Sequence, residues 1–264
     1  MQCPVRISII KNARLKKVLI TVLVAIFWIA LWQGIFLLVN DDLIIASPKA
    51  VLRRIIELSV TKDFWLAVIY SVGRILLGFV SGVLFGTIMA SLCASEFLGR
   101  LFAPIILIIR ATPVASFIML TWLWLERDSI PVFVSFLMVV PIAWGNVATG
   151  IKSVGTEYKD FAKMYKITGI KKIKYLFIPS VLPHFASAVF TSAGLVWKAG
   201  VAAEVLCQPK ISIGSNLFDA RSFLDTLDVF VWTAVIIIIS LILEKIIKTL
   251  LKQIEKKFAI AGLT

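Results

Sequence analysis

The chain has 264 residues, 60% of them hydrophobic, with a formal net charge of +13 and a mean hydropathy of +0.98. A soluble domain is about 45–50% apolar, and the apolar runs here are too long for strands or ordinary core helices, so a water-soluble enzyme or binding module is excluded. Nucleic-acid binding needs a basic face on a soluble module; here the cations fit loops that meet anionic lipid.

A leader at 1–17 carries Arg6, Lys11, Arg14, Lys16 and Lys17 and precedes VLITVLVAIFWIALWQGIFLLVN at 18–40, which holds no charge. A membrane-crossing helix needs about 20 apolar residues, whereas the apolar core of a signal peptide has about 7–15. The run therefore reads as an uncleaved first span. PKAVLRRIIELSVTK at 48–62 reads as a short surface helix. The second span is placed at 67–93, where Gly78, Gly82 and Gly86 recur every four residues, a pattern that lets two helices approach closely. The third, at 103–125, is interrupted by Arg110 and followed closely by Pro113, a candidate break; Trp122 and Trp124, beside Glu126, read as anchors at its outer interface. The fourth runs over 129–149 with Pro141 inside it. The fifth covers 182–206 and contains Lys198. QPKISIGSNLFDARSFLDT at 208–226 is a loop with room for a short helix, the sixth span follows at 227–247, and 248–264 is a basic tail. The fold class is all-α integral membrane, with six transmembrane helices and a permease domain over 18–247.

With an even number of spans, both termini lie on one side, and lysine and arginine bias decides which. The segments on the side of the termini hold 18 basic residues, against 7 on the opposite side. This places both ends, and the segment at 152–178, in the cytoplasm. Cys3, Cys93 and Cys207 lie far apart, with no metal spacing and no evident disulfide. The single His184 builds no metal site alone and reads as a helix-packing residue.

The segment YKDFAKMYKITGIKKIKYLFIPSVLP at 158–183 breaks the apolar pattern. Thr156 is a candidate N-cap, with Glu157 and Asp160 near the positive helix end. Tyr158, Phe161, Ala162 and Tyr165 fall at i, i+3, i+4 and i+7 and share a face. Thr168 and Gly169 make a plausible break, and a second short helix sets Ile170, Ile173, Leu176 and Phe177 against Lys171, Lys172 and Lys174. Pro179 and Pro183 mark entry to the fifth span. Two readings stand on periodicity alone: an amphipathic hairpin on the membrane surface, or a helix presented to a groove on a partner.

The same stretch resembles the cytoplasmic signature of ABC-importer permeases, E-A-A, three residues, G, nine residues, I-x-L-P. Asp160-Phe161-Ala162 matches E-A-A and Leu176-Phe177-Ile178-Pro179 matches I-x-L-P, while Lys166 occupies the glycine position and Phe161 the first alanine. Further matches follow in order: ASPKAV (46–51), SVGRILLGFVSGVLFGTIMA (71–90), APIILIIRATPVASFIMLTWLW (103–124), IPSVLPHF (178–185) and WKAGVAAEVL (197–206). Together they resemble inner-membrane permeases of the nitrate/sulfonate/taurine importer family over about 40–245. The resemblance implies type I importer architecture, with a coupling helix for a cytoplasmic ABC ATPase formed by Asp160, Phe161, Ala162, Lys163, Tyr165, Lys166, Ile167, Thr168 and Gly169. It also implies two ATPase subunits that bind ATP and Mg, an external solute-binding protein, a second permease copy as a homodimer, and residence in the bacterial cytoplasmic membrane. The chain contains no G-x-x-x-x-G-K-[ST] loop, so it is read as a transport subunit with no catalytic residues, metal or cofactor of its own.

Charges inside spans are expensive and face protein or water. Arg74, Arg110, Lys198 and Glu204, with Trp197 beside them, are candidates for a translocation path or gate; structural pairing between spans is the other reading. The excess of cations leans towards an anionic solute of the nitrate, sulfonate or taurine type. The alternatives are an ion-gradient-driven secondary transporter, for which no repeat between the halves is evident, and a membrane scaffold whose basic loop docks a protein.

Overall fold

A computed structural model describes residues 5–93, 95–166 and 169–260, and the side chains within them except at 5–18, 96, 156, 159 and 255–260. Ile167 and Thr168 of the expected coupling segment lie outside the described residues. The described chain is helical. Five helices have the length and hydropathy to cross a membrane: Leu19–Val39 within α1 (Val5–Val39), α3 (Lys62–Leu92), α6 (Ile130–Lys152), the continuous stretch Gly169–Cys207, and Thr226–Ile254 within α11 (Thr226–Ile260).

The expected third span is not one straight helix. It consists of α4 (Glu96–Ala111) and α5 (Val114–Thr121), which meet at 100°. Thr112 precedes a proline and takes an extended conformation, φ −78° and ψ 128°. Pro113 has no N–H to offer α4 and bars its predecessor from helical angles. Counted as one bent span, the pair brings the total to six. Pro104, by contrast, is accommodated inside α4, and Pro141 inside α6.

Two more boundaries move. The basic tail expected from 248 continues α11 as far as Ile260. The second arm of the 152–178 segment is not a separate helix: α8 (Gly169–Lys172) runs through a π-helical turn at Ile173–Phe177 directly into α9 (Ile178–Cys207). The wide turn closes with Ile178 N–H donating to Ile173 O. Pro179 follows directly after this turn, where the wider pairing replaces the regular helical ladder. Pro183 lies inside α9 rather than before it, and Lys198 leaves the helix unbroken.

α6 is the centre of the bundle, with α3 on one side and α9 on the other. In a membrane, helices associate through close packing rather than exclusion from water, and glycine supplies the closeness. A Cβ on Gly78 would collide with Val132 O and Ser135 Cβ; on Gly82 it would meet Val139 Cβ at 2.8 Å, and on Gly86 Ala143 Cβ at 2.7 Å. The partners advance by four as the glycines do, so α3 and α6 run parallel in register. His184 packs as expected, its ring 3.1 Å from where Gly150 would carry a Cβ. Phe79, Val139, Val196, Trp197 and Val235 form the main buried cluster.

The expected short helices are present: α2 (Pro48–Ser59), capped by Ser47, and α10 (Ile213–Ser222), capped by Ser212. Arg54 of α2 holds Asp228 of α11 with two hydrogen bonds, 2.8 and 3.1 Å, which raise its pKa above the ordinary value. α1 touches the rest through Trp32, which stacks on Phe230 and donates to Ala46 O at 3.1 Å; its apolar span is otherwise uncovered by the chain.

Candidate functional site

α7 (Thr156–Met164) follows the end of α6. Gly155, not Thr156, takes the N-cap position, with extended ψ of 152° and no side-chain cap bond. Glu157 in the first turn and Lys163 in the last complement the helix dipole. Among the described side chains of α7 only Ala162 is buried; Tyr158 and Phe161 are 65% and 54% exposed, and Tyr165 just beyond is 62% exposed. The Phe161 and Tyr165 rings lie 4.4 Å apart. Spacing is borne out in the Phe161–Tyr165 ring contact, but the four residues do not share one environment: Ala162 turns inward while the three aromatics stand exposed. Aromatics so exposed suit a lipid surface or a partner groove.

The helix ends in an informative way. Tyr165 is the C-cap, and Lys166 follows with φ +50°. That left-handed conformation is routine for glycine and costs other residues about 1–2 kcal/mol. Lys166 occupies the position where the resembling permeases carry glycine, so the backbone keeps the shape that glycine serves and pays for it in strain. Lys166→Gly is expected to slow amide hydrogen exchange across 156–166 about fivefold. Unchanged or faster exchange would contradict this account of the turn.

The charged candidates separate into distinct places. Arg74 and Glu204 come together. Glu204, fully buried on α9, accepts from Ser71 Oγ at 2.7 Å and from Gly214 N–H at 3.2 Å through Oε2, and its Oε1 lies 3.6 Å from Arg74 Nη1. Arg74 also donates to Ile211 O at 2.7 Å and pairs with Asp128. Ser71 Oγ in turn accepts from Ile213 N–H at 2.9 Å. The first two N–H groups of α10 are thus satisfied by Ser71 and Glu204, a carboxylate at the positive end of a helix. Gly214 is required there, because a Cβ would lie 2.6 Å from Val205 N. The cluster binds α3, α9, α10 and the turn before α6 into one unit.

Trp197 is 1% exposed and donates from Nε1 to Ile236 O at 3.0 Å, joining α9 to α11. Lys198 and Arg110 are exposed. Arg110 opens on a cavity of about 410 Å³ that it lines with Trp144, Gly145, Asn146, Ala148, Thr149 and Lys152 of α6. Sequence reading passed over these α6 residues. Gly145, Ala148, Thr149 and Lys152 stand at i, i+3, i+4 and i+7, a small and polar stripe on a helix judged only by hydropathy.

The fold is that of a membrane permease component. The chain belongs to the binding-protein-dependent transport system inner membrane component family, which matches residues 82–260. It is similar to the nitrate import permease protein NrtB of Synechococcus elongatus, 26% identical over 225 residues, covering 80% of this chain and 79% of that one. It is also similar to the putative aliphatic sulfonates transport permease protein SsuC of Escherichia coli, 28% identical over 185 residues, 69% of this chain and 70% of that one. A crystal structure of an amino acid ABC transporter shares the fold, with a TM-score of 0.55 and 17% identity, covering 74% of this chain and 93% of that one.

Proposed function

We propose that this chain is the membrane permease of an ATP-driven importer and that it passes a small anion delivered by an external binding protein. The observation that carries the reading is the set of exposed aromatics Tyr158, Phe161 and Tyr165 on and just beyond α7, which a short turn connects to α6. Docked in a cleft of a cytoplasmic ABC ATPase, that helix transmits closure of the ATPase pair to the bundle, because ATP binding favours one arrangement and the docked helix biases the permease accordingly. Asp160, Phe161, Ala162, Lys163, Tyr165, Lys166 and Gly169 form this dock, with Ile167 and Thr168 between them.

The excess of basic residues on the loops shared with the termini supports a cytoplasmic location for α7 and both chain ends. A second copy of the chain completes the path at a two-fold interface. Within each protomer Arg74, Trp197 and Glu204 stiffen the wall, while Arg110 and Lys198 remain open to solute. The similar permeases named for nitrate and aliphatic sulfonates support an anionic cargo. ATP and Mg are bound by the ATPase partner. Cross-linking from Lys163→Cys to the co-expressed ATPase tests this reading: a yield that follows ATP is expected, and no cross-link returns α7 to the membrane surface.

A further inference from the structure

Arg110 and Lys152 make no ion pair among the described residues, yet both line one cavity of a membrane-embedded bundle. The other cations near the spans differ: Lys198 is exposed but does not line this cavity, and two arginines are held by carboxylates. Arg74 has Asp128 and Glu204, and Arg54 has Asp228. A cation within a span is costly without a partner; Arg110 has none among the described residues, Lys152 stands at the mouth of the same cavity, and no carboxylate lines it. A third feature points the same way. The indole Nε1 of Trp144 is buried without a hydrogen-bond partner, and a buried donor left unmet costs about 1–3 kcal/mol.

The remaining polar groups suit the same class of ligand. Asn146 Nδ2 donates one hydrogen to Ile142 O at 2.9 Å and retains the other. Thr149 Oγ1 is tied to Gly145 O at 2.8 Å. The hydroxyl hydrogen of Thr149 is thus spent within α6, and the lining offers the second Asn146 hydrogen and two positive charges with no anionic competitor. The Arg110 side chain reaches close to α6, its Nη2 lying 3.5 Å from where Gly145 would carry a Cβ, an ordinary contact distance. Lys152 is the last residue of α6, and α7 begins four residues later.

We propose that Arg110, Trp144, Asn146 and Lys152 form a binding site for a small oxyanion, of the nitrate or short-chain sulfonate class, at the end of the path next to α7. The proposal rests on the importer reading for its place in transport, and its chemistry is testable without the ATPase. Arg110 supplies a planar donor fork that matches planar and tetrahedral oxyanions. Lys152 adds a point charge at the mouth. The position also lets movement of α7 reach the site through the end of α6.

The test uses the full chain in liposomes with Cys3, Cys93 and Cys207 replaced by alanine and a single Thr149→Cys. Its labelling rate is compared for two methanethiosulfonates of similar size, one carrying a sulfonate and one a trimethylammonium. The anionic reagent is expected to react about tenfold faster, as a cationic cleft concentrates counter-ions. Nitrate and methanesulfonate should slow it, and Arg110→Gln should bring the two rates together. Lys152→Gln, at the helix end, gives a smaller shift of the same sign and covers the case in which the Arg110 variant misfolds. Leu224→Cys, exposed on a loop away from this cavity, should show little charge preference. The proposal is overturned by equal rates with Arg110 intact, by a preference that neither substitution alters, or by an anionic rate that oxyanions leave unchanged. None of these outcomes touches cross-linking of α7, so failure here is distinct from failure of the importer reading.

Discussion

Gly82→Ala is expected to lower the melting temperature of the purified permease sharply, and Gly82→Leu to abolish a monodisperse folded product. The added Cβ meets Val139 Cβ at 2.8 Å, Phe136 O at 2.9 Å and Val139 Cγ1 at 3.1 Å. One of these is backbone and another the first carbon of a β-branched residue, so neither swings aside. Relief requires α3 and α6 to separate along their shared length. Overpacking of this kind costs about 1–3 kcal/mol for a single methyl and more for a larger group. Gly73 on the same helix is the control, because nothing lies within 4 Å of its Cβ position. Gly73→Ala should be neutral or slightly stabilising, since alanine is the better helix former by about 1 kcal/mol. Equal melting temperatures for Gly73→Ala and Gly82→Ala would show that α3 and α6 do not pack in this register.

Glu204→Ala is the second substitution with a large expected effect. It removes the acceptor for Ser71 Oγ and for Gly214 N–H and leaves Arg74 with Asp128 as its remaining carboxylate partner. Breaking a buried charged cluster by removing one partner costs about 3–5 kcal/mol. Glu204→Gln keeps an acceptor and loses the charge, so it should fall between, at about 1–3 kcal/mol. Ser71→Ala should act in the same direction, since it strands Ile213 N–H as well. Thermal unfolding in detergent reads the series. A Glu204→Ala protein with an unchanged melt and lost transport would make the carboxylate a solute contact rather than an anchor for α10.

The elements most legible in the sequence were those with local causes. Long apolar runs indicated the spans, and the four-residue glycine repeat indicated a close helix approach, which the structure assigns to α6. Periodicity brought the Phe161 and Tyr165 rings together, though it did not separate the buried Ala162 from the exposed aromatics. Local rules also misled. Gly169 and the two prolines read as punctuation, yet α8 passes through a π turn into α9, and the turn lies directly before Pro179, where the regular ladder would lose a bond. Thr156 looked like a cap by residue type, but the chain places Gly155 there.

The parts that were not legible depend on partners distant in the chain. Glu204 and Ser71 are 133 residues apart, and Arg74 and Asp128 are 54 apart. No spacing rule connects them, so Arg74 and Glu204 were indistinguishable from Arg110 and Lys198 as charges in spans. Folding separates them into a satisfied cluster and two open cations. Lys166 was visible as a departure from a familiar pattern, but its left-handed backbone explains why glycine belongs at that position.

The central claim is that α7 couples this bundle to an ATPase. Disulfide or short-linker cross-linking from Lys163→Cys, in the cysteine-free chain co-expressed with its ATPase, tests it most directly. Leu224→Cys, exposed on a loop away from α7, is the control. The account predicts an ATPase adduct from Lys163→Cys, a yield that changes between ATP-bound and nucleotide-free states, and no adduct from Leu224→Cys. A folded, membrane-inserted permease that gives no adduct at Lys163→Cys, or one indifferent to nucleotide, would contradict it and favour a transporter driven by an ion gradient.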